Sequence, residues 1–397
     1  MEFKNQQKAL IIVSAHCSPM TTSAAAHMGD LAEYLLLDRK VYYITQSRFS
    51  LGRKFRHGII FGFKNPLIKN KNLQLRFLGE LIYPIILALT FGLYCRLFVR
   101  NYDVIAYSPS ALQWPLMAIL KNRKSYQLLI LRDLFPEWLM DSNVLTAKSY
   151  IYIILKFFSH LQYYLSDIVG VQAIDDKERL PPNLWDKTVV INSFYSQLSK
   201  SQKIPKPETH KSFVEFGCFG TFGHAQDWRK SLKIINEALL KDDKLRFHFV
   251  GSGNPELASE CFSKSVRSQI TINKAVTGTA FEEALSNIDV GFFSLSADIK
   301  NSNIPGKFIT YCKYGVPTFA LGSTNSHISK LITENRLGYL CDINNADEAV
   351  SQMLKISREY RDMDKSRISR YFIDNHSVEY VGAEIQHYLH DLNETNE

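Results

Sequence analysis

Three stretches of this chain combine residue types and spacings that suit chemistry. The first is Asn303-Ile304-Pro305-Gly306-Lys307-Phe308-Ile309-Thr310-Tyr311, followed by Gly315-Val316-Pro317. Pro305 fits a first helical turn, where its missing N–H costs nothing, and Gly315 fits the end of that helix. Apolar runs at 290–295 and 316–320 on either side read as buried strands. Gly306 lets a ligand approach the backbone, and the first N–H groups of the helix lack partners within it. Lys307 adds a full positive charge to the same turn. A strand, a glycine-lysine helix start and a return strand make a holder for a phosphorylated ligand.

The second stretch is Gly220-Thr221-Phe222-Gly223, with Gln226 close behind, between a strand at 213–216 and helical spacing at 227–240. Gly251-Ser252-Gly253 closes a further strand at 245–250. Glycine loops of this kind can turn N–H groups onto a phosphate; a plain tight turn is the competing reading. The third glycine of a dinucleotide fingerprint is absent. The third stretch is Arg132-Asp133 and Glu137, where the apolar strand at 127–131 ends. Ligands of open α/β sheets sit beyond the carboxyl ends of strands, which would aim these charges into a cleft. Local pairing of Arg132 with Asp133 and solvation of Glu137 is the other reading.

The elements that must position these residues alternate strand and helix. Strands are expected at 8–14, 41–45, 102–107, 127–131, 167–172 and 189–192, with helical spacing at 23–37 and 150–165. That alternation signals parallel α/β sheets. At 397 residues the chain suffices for two domains, and 46% hydrophobic with 22% charged residues is ordinary for globular proteins. The boundaries read as a first domain at 1–195, a polar linker at 196–212 with Pro205 and Pro207, a second domain at 213–375, and a last helical segment at 376–397. Residues 46–76 read as irregular. The short apolar run at 8–14 resembles a signal peptide only superficially, because no small-residue cleavage site follows it.

The segment Asn-Ile-Pro-Gly-Lys-Phe-x-x-Tyr-x-x-x-Gly-x-Pro at 303–317 resembles the donor site of retaining glycosyltransferases that build bacterial surface polysaccharides. Leu131-Arg132-Asp133-Leu134-Phe135-Pro136-Glu137-Trp138, the glycine loop at 220–226 and Phe249-Val250-Gly251-Ser252-Gly253 match in the same order. The branch most similar is that of N-acetyl-L-fucosamine transferases. The resemblance implies a GT-B architecture: two Rossmann-like α/β domains facing across a cleft, the last helix returning to the first domain. It implies a UDP-sugar donor held by Gly220, Thr221, Gly223, Gln226, Gly251, Ser252, Gly253, Asn303, Gly306, Lys307, Thr310 and Tyr311. It implies a lipid-linked saccharide acceptor met by His16, Arg132, Asp133 and Glu137. Asp133, Glu137 and Lys307 would then carry the transfer, with retention of configuration and no cofactor. Two departures stand out. Relatives commonly place glutamates where this chain has Thr310 and Asn303, and the usual Arg and Lys of the first donor loop are missing. Lys307 then carries more of the phosphate charge. A nucleotide-sugar epimerase, a phosphorylase on the same fold, and a non-catalytic nucleotide-sugar-binding partner remain alternatives.

No Asp-x-Asp follows a strand; Asp362-Met363-Asp364 lies in a charged helical stretch, so no metal is expected. Six scattered cysteines without a Cys-x-x-Cys pair suit reduced thiols in the cytoplasm. Residues 1–205 hold 25 Lys/Arg against 14 Asp/Glu, while the remainder holds 22 against 25. Ten of those basic residues fall within 39–76 without one acid, just before an uncharged run at 81–95. A solvated face and a buried core helix are the plain readings of these two segments. The functional reading is peripheral attachment to an anionic membrane at the cytoplasmic face, with an interfacial helix. Nucleic acid is not expected, since no recognition module accompanies the charge.

Overall fold

The computed structural model describes residues 8–17, 23–55, 58–67, 70, 72–108, 113–141, 145–197, 212–222, 226–253, 261–297 and 304–394. The chain forms two compact units, Met1–Ser196 together with Asn375–Glu397, and Gln197–Asp374.

In the first unit, β1 (Ala9–Ser14), β2 (Val41–Thr45), β3 (Ser50–Phe55), β4 (Gly58–Gly62), β5 (Tyr102–Ser108), β6 (Gln127–Leu131), β7 (Ile168–Val171) and β8 (Thr188–Val190) form one sheet. Its order is β3-β4-β2-β1-β5-β6-β7-β8. Every pairing is parallel except β3 on β4. The inner strands are almost wholly apolar because both faces are covered. Along β1, Leu10 and Ile12 enter the core layer that holds Met28 and Leu31, while Ile11 and Val13 enter the opposite layer. The covering helices are α1 (Ser23–Leu35), α2 (Leu73–Leu87), α3 (Leu93–Phe98), α4 (Trp114–Leu120), α5 (Glu137–Asp141), α6 (Tyr150–Leu165) and α7 (Ile174–Glu178).

Two expectations need correction here. Part of 46–76 is regular, since β3 and β4 pair as a hairpin within it. β3 is an edge strand that exposes Leu51, Arg53 and Lys54, and positive charges on an edge discourage pairing with other chains. That protection hides the strand from a reading based on apolar alternation. The uncharged run at 81–95 is also only part of a longer helix. α2 and α3 join through a π-helical turn at Ala88–Gly92, and Leu75–Phe98 forms 24 residues long and apolar enough to cross a bilayer by length and composition. The early charges are accommodated because Arg76 pairs with Glu80 one turn on, at 3.1 Å. One face of this helix is core: Leu87, Ala88, Phe91 and Cys95 are buried with Leu116 and Met117 of α4.

In the second unit, β9 (Val214–Phe222), β10 (Leu245–Gly253), β11 (Ile270–Lys274), β12 (Val290–Ser294), β13 (Thr318–Gly322) and β14 (Gly338–Asp342) are all parallel, in the order β11-β10-β9-β12-β13-β14. The helices are α8 (Trp228–Lys241), α9 (Thr279–Ser286), α10 (Gly306–Lys313), α11 (His327–Glu334), α12 (Ala346–Glu359) and α13 (Lys365–His376). The chain winds outward from β9 in one direction and from β12 in the other. β9 and β12 therefore flank a topological switch point, where ligands of such sheets bind. β1 and β5 flank the corresponding point of the first sheet.

The last helix, α14 (Val378–Glu394), belongs to the first unit. Val381, Ile385 and Leu389 join the layer of Met28 and Leu31. Gly382 lies so close to Tyr34 that a Cβ would stand 2.5 Å from its ring. The crossing is pinned by a bridge between Tyr195 and Ser377 and by the His376 imidazole, whose Nδ1 lies 2.7 Å from the Ser193 carbonyl.

Candidate active site

β9 and β12 pair only at Phe216–Val290 and Gly217–Gly291, then part. Tyr311 fills the opening. Its hydroxyl lies 2.9 Å from both the Gly217 and Phe292 carbonyls, and the Phe219 N–H donates to it at 3.4 Å. The ring is fully buried, and burial pushes the phenol well above its usual range. Gly291 is required opposite, because a Cβ would stand 2.4 Å from that ring. Tyr311 is thus a strut between two strands, and the expected donor contact through it is overturned by its burial.

Above this strut two helices begin. α10 starts at Gly306 after Pro305, and α8 starts at Trp228 after Asp227, which adopts φ 38; neither has a side-chain cap. Lys307, in the first turn of α10, places its Nζ 5.6 Å from the ring centroid of Trp228, the first residue of α8. The two uncapped helix starts therefore meet. Gly220 sits beside them at φ +112, and a Cβ there would lie 3.1 Å from Lys307 Cε. The Lys307 ammonium is enclosed, with no hydrogen-bond acceptor among the described residues. Its charge reaches the core: burial pushes the Cys218 thiol up while Lys307 pulls against it. Enclosing an uncompensated charge costs several kcal/mol, roughly, and an arriving anion offsets that cost. Helix starts supply further N–H groups and positive dipole ends. The chemistry of this corner, an enclosed ammonium beside two uncapped helix starts, suits a multiply charged anion.

The other expected donor residues surround it in different ways. Gly251 approaches β9 so closely that a Cβ would fall 1.7 Å from the Gly220 carbonyl, so this glycine packs two strand ends together. Gly253 pairs in register with Phe222. Thr221 and Ser252 form an exposed rim, their hydroxyls 3.4 Å apart. The Gln226 carbonyl accepts from Ser294 Oγ at 2.6 Å, tying the loop to β12. Thr310 turns its hydroxyl back to donate to the Gly306 carbonyl at 2.8 Å, which leaves its oxygen able to accept. Gly223 and Asn303 lie outside the described residues. Trp228 was missed from the sequence: a tryptophan in a helix reads as core, and only folding brings it under Lys307.

In the first unit, Arg132 and Asp133 follow β6 and are half-buried. Arg132 hydrogen-bonds the Tyr107 hydroxyl and interacts electrostatically with Tyr195 and Asp133. Tyr107 Oη in turn lies 3.1 Å from His27 Nδ1. Arginine only donates, so the Tyr107 oxygen is the acceptor of the bond from Arg132. His27 is 1% exposed, and burial, then the nearby Arg132, hold it well below the usual histidine range. Burial raises the Tyr107 phenol to about 12. His16 follows β1 at the same sheet end; its N–H donates to Ser14 Oγ at 3.3 Å and its carbonyl accepts from the Tyr43 hydroxyl at 2.9 Å. Glu137 opens α5 with Lys156 of α6 at 3.8 Å, so part of its charge is met locally. His27 escaped the sequence reading because an alanine-rich helix face looks like packing alone. Among the described residues no cluster of His, Cys, Asp or Glu could hold a metal ion.

Two sheets of mostly parallel strands, each with strand ends that gather polar residues at a switch point, define the fold as GT-B, that of a large class of glycosyltransferases. No protein-family model matches the chain. The probable glycosyltransferase WbjE of Pseudomonas aeruginosa is 24% identical over 234 residues, which cover 54% of this chain and 56% of that protein. The chain thus spans little more than half the length of this curated relative. Alr3699/HepE of Anabaena, solved with UDP, superposes with a TM-score of 0.66 at 10% identity over 96% of this chain and 100% of that one. The same protein with UDP-glucose gives 0.65 at 11% identity over 97% and 100%. A trehalose-6-phosphate structure from E. coli bound with UDP-2-fluoro glucose gives 0.66 at 12% identity over 96% and 98%. At these identities the structural likeness establishes the fold.

Proposed function

We propose that this protein is a glycosyltransferase that moves a sugar from a nucleoside-diphosphate sugar, UDP-linked, to a lipid-linked glycan acceptor. The reaction serves O-antigen, capsule or exopolysaccharide synthesis, on the branch similar to N-acetyl-L-fucosamine transferases, with retention of configuration. One observation carries the reading: an enclosed Lys307 ammonium with no acceptor among the described residues, where α8 and α10 begin at a switch point. The UDP and UDP-glucose complexes of HepE support the choice of donor, and the likeness to WbjE, a probable glycosyltransferase, supports the class of reaction.

In transfer, the bond from the anomeric carbon to the diphosphate breaks as the acceptor oxygen forms its own, and the acceptor hydroxyl's proton passes to the departing diphosphate. Negative charge grows on the departing diphosphate, and positive charge grows on the sugar ring. Lys307 and the two helix starts stabilise the former without reorganising, because the fold fixes them beforehand. The acceptor is received at the first unit's sheet end by His16, Arg132, Asp133 and Glu137. Incubating the protein with UDP-sugars and membrane extract should release UDP in an acceptor-dependent way. UDP release equal in buffer alone, or isomerisation of the sugar without release, would remove the transferase reading.

The same proposal places the protein at the cytoplasmic face of an anionic membrane. The solvent side of the α2–α3 helix exposes Leu89, Leu97 and Phe98, and α6 exposes Tyr150, Ile153 and Phe157. Arg53, Lys54, Lys64, Arg96 and Arg100 are exposed in the same unit. Exposed apolar surface of this kind marks a contact region, and basic residues favour anionic lipid. Sedimentation with anionic vesicles tests it: attachment should persist in part at 1 M salt, where the Debye length is about 3 Å, because apolar burial is not screened. A protein left wholly in the supernatant at low salt would sink this placement.

A further inference from the structure

Trp228 stands in the same corner as Lys307, at the start of α8. It is 9% exposed, and its indole Nε1 has no hydrogen-bond acceptor among the described residues. Buried N–H groups are almost always paired in native proteins, so one left over beside an enclosed ammonium calls for an acceptor. The ring is held by Phe222 at 4.9 Å and Phe249 at 6.4 Å between centroids, while Lys307 Nζ stands over it at 5.6 Å. Apolar packing alone would be served as well by phenylalanine. Tryptophan differs in having the strongest cation-binding face and one N–H that can only donate. Backbone geometry adds to this. Asp227 enters α8 in the left-handed region, which sets Trp228 at the first position of an uncapped helix.

We propose that Trp228 is a donor-binding residue. Its indole N–H donates to an oxygen of the bound nucleoside diphosphate, and its ring face holds the Lys307 ammonium in place for the same group. The inference rests on the reading of Lys307 as the diphosphate contact, and its test separates the two. The full-length protein, labelled with ¹⁵N-tryptophan, is titrated with UDP and with uridine, and UDP affinity is measured for wild type, Trp228→Phe and Lys307→Ala. The chain has four tryptophans, so the Trp228 indole signal is identified by its loss in Trp228→Phe. Should that variant not fold, replacing Trp114, Trp138 and Trp185 in turn assigns the fourth by elimination.

The expected result is a downfield move of the Trp228 indole proton with UDP and none with uridine. Trp228→Phe should lose about tenfold or more in UDP affinity, the scale of one hydrogen bond to a charged group. An indole signal indifferent to UDP, in a protein whose Lys307→Ala variant has lost UDP binding, overturns the role of Trp228 and leaves that of Lys307 intact. If Lys307→Ala binds UDP as wild type does, the diphosphate reading itself falls.

Discussion

Arg132 and Lys307 both stand near the carboxyl ends of strands, one in each unit, and the two are treated differently. Arg132 is embraced by the first unit's own groups: the Tyr107 hydroxyl accepts from it, and Tyr195 and Asp133 lie in its field. Lys307 in the second unit has a tryptophan face and no acceptor among the described residues. A cation compensated from within can orient neighbours and hold shape without a ligand. One left uncompensated gains most when an anion arrives. The contrast is what the proposed division of labour would require, with the diphosphate met at Lys307 in the second unit and the acceptor met beside Arg132 in the first.

The largest effect that sharpens this contrast is expected from pH. The first unit buries His27 and His376 as neutral rings; burial lowers His376 to about 4 and holds His27 well below 6.5. The unfolded chain binds protons near the ordinary histidine value of about 6.5, whereas the folded chain does not, so stability rises with pH in this range. The contribution is complete above pH 6.5 and is lost as pH falls toward 4. For His376 alone the loss amounts to about 3 kcal/mol, at 1.36 kcal/mol per unit of pKa. Denaturant midpoints from pH 7 to pH 4 should fall steeply, and His376→Gln should flatten the curve. An unchanged slope in that variant would show that the crossing to α14 does not bury a neutral histidine.

Next in size is Lys307→Ala. Losing a charge-assisted contact to a diphosphate should weaken UDP binding by roughly 1.5–3 kcal/mol. Folding should not suffer equally, because the variant also removes an enclosed charge. Gly220→Ala should act in the same direction, since φ +112 and a 3.1 Å approach to Lys307 Cε both oppose a side chain. Calorimetric titration with UDP alongside thermal melts checks both, and wild-type affinity in a stable Lys307→Ala protein would erase the contrast between the two cations.

Local features that repeat along the sequence were legible. The alternating apolar runs give the parallel strands, and Pro305, Gly306 and Gly315 give the bounds of α10, because these signals depend on neighbours in the chain. What was not legible depends on residues distant in sequence. Nothing local says that Tyr311 will lie against Gly291 and be lost to solvent, or that Trp228 will meet Lys307. His27 looks like one more packed position until Tyr107 and Arg132 are seen beside it. β3 was hidden because an edge strand with Arg53 and Lys54 lacks the apolar pattern of a buried one. The 24-residue apolar helix was hidden because Arg76 and Glu80 interrupt the uncharged run while neutralising each other.

A smaller effect is expected from Arg132→Gln. UDP affinity should stay as in wild type, while transfer to the lipid-linked acceptor falls. His27 should titrate at higher pH, since Arg132 is the second cause of its depression after burial. Following the His27 ring signal by NMR while assaying transfer separates this from simple loss of fold. Loss of UDP binding together with transfer would mean that the Arg132 network serves the donor too.

The smallest effect is expected from Glu137→Gln, and it tests how finely the two ends divide their labour. Glu137 opens α5, is half-buried, and has Lys156 at 3.8 Å, the limit of an ion pair. Pairs of this kind contribute about 0–1 kcal/mol, so the melting temperature should barely move. UDP affinity should not change either, because the proposed diphosphate contacts lie on another sheet. Transfer is the quantity that should respond, through a raised KM for the lipid-linked acceptor at nearly constant donor KM. Asp133→Asn provides the control: it stands in the field of Arg132, so its loss should lower turnover as well as acceptor affinity. If Glu137→Gln leaves every kinetic constant alone while Asp133→Asn does not, Glu137 and Lys156 form a local pair, and the acceptor end shrinks to His16, Arg132 and Asp133.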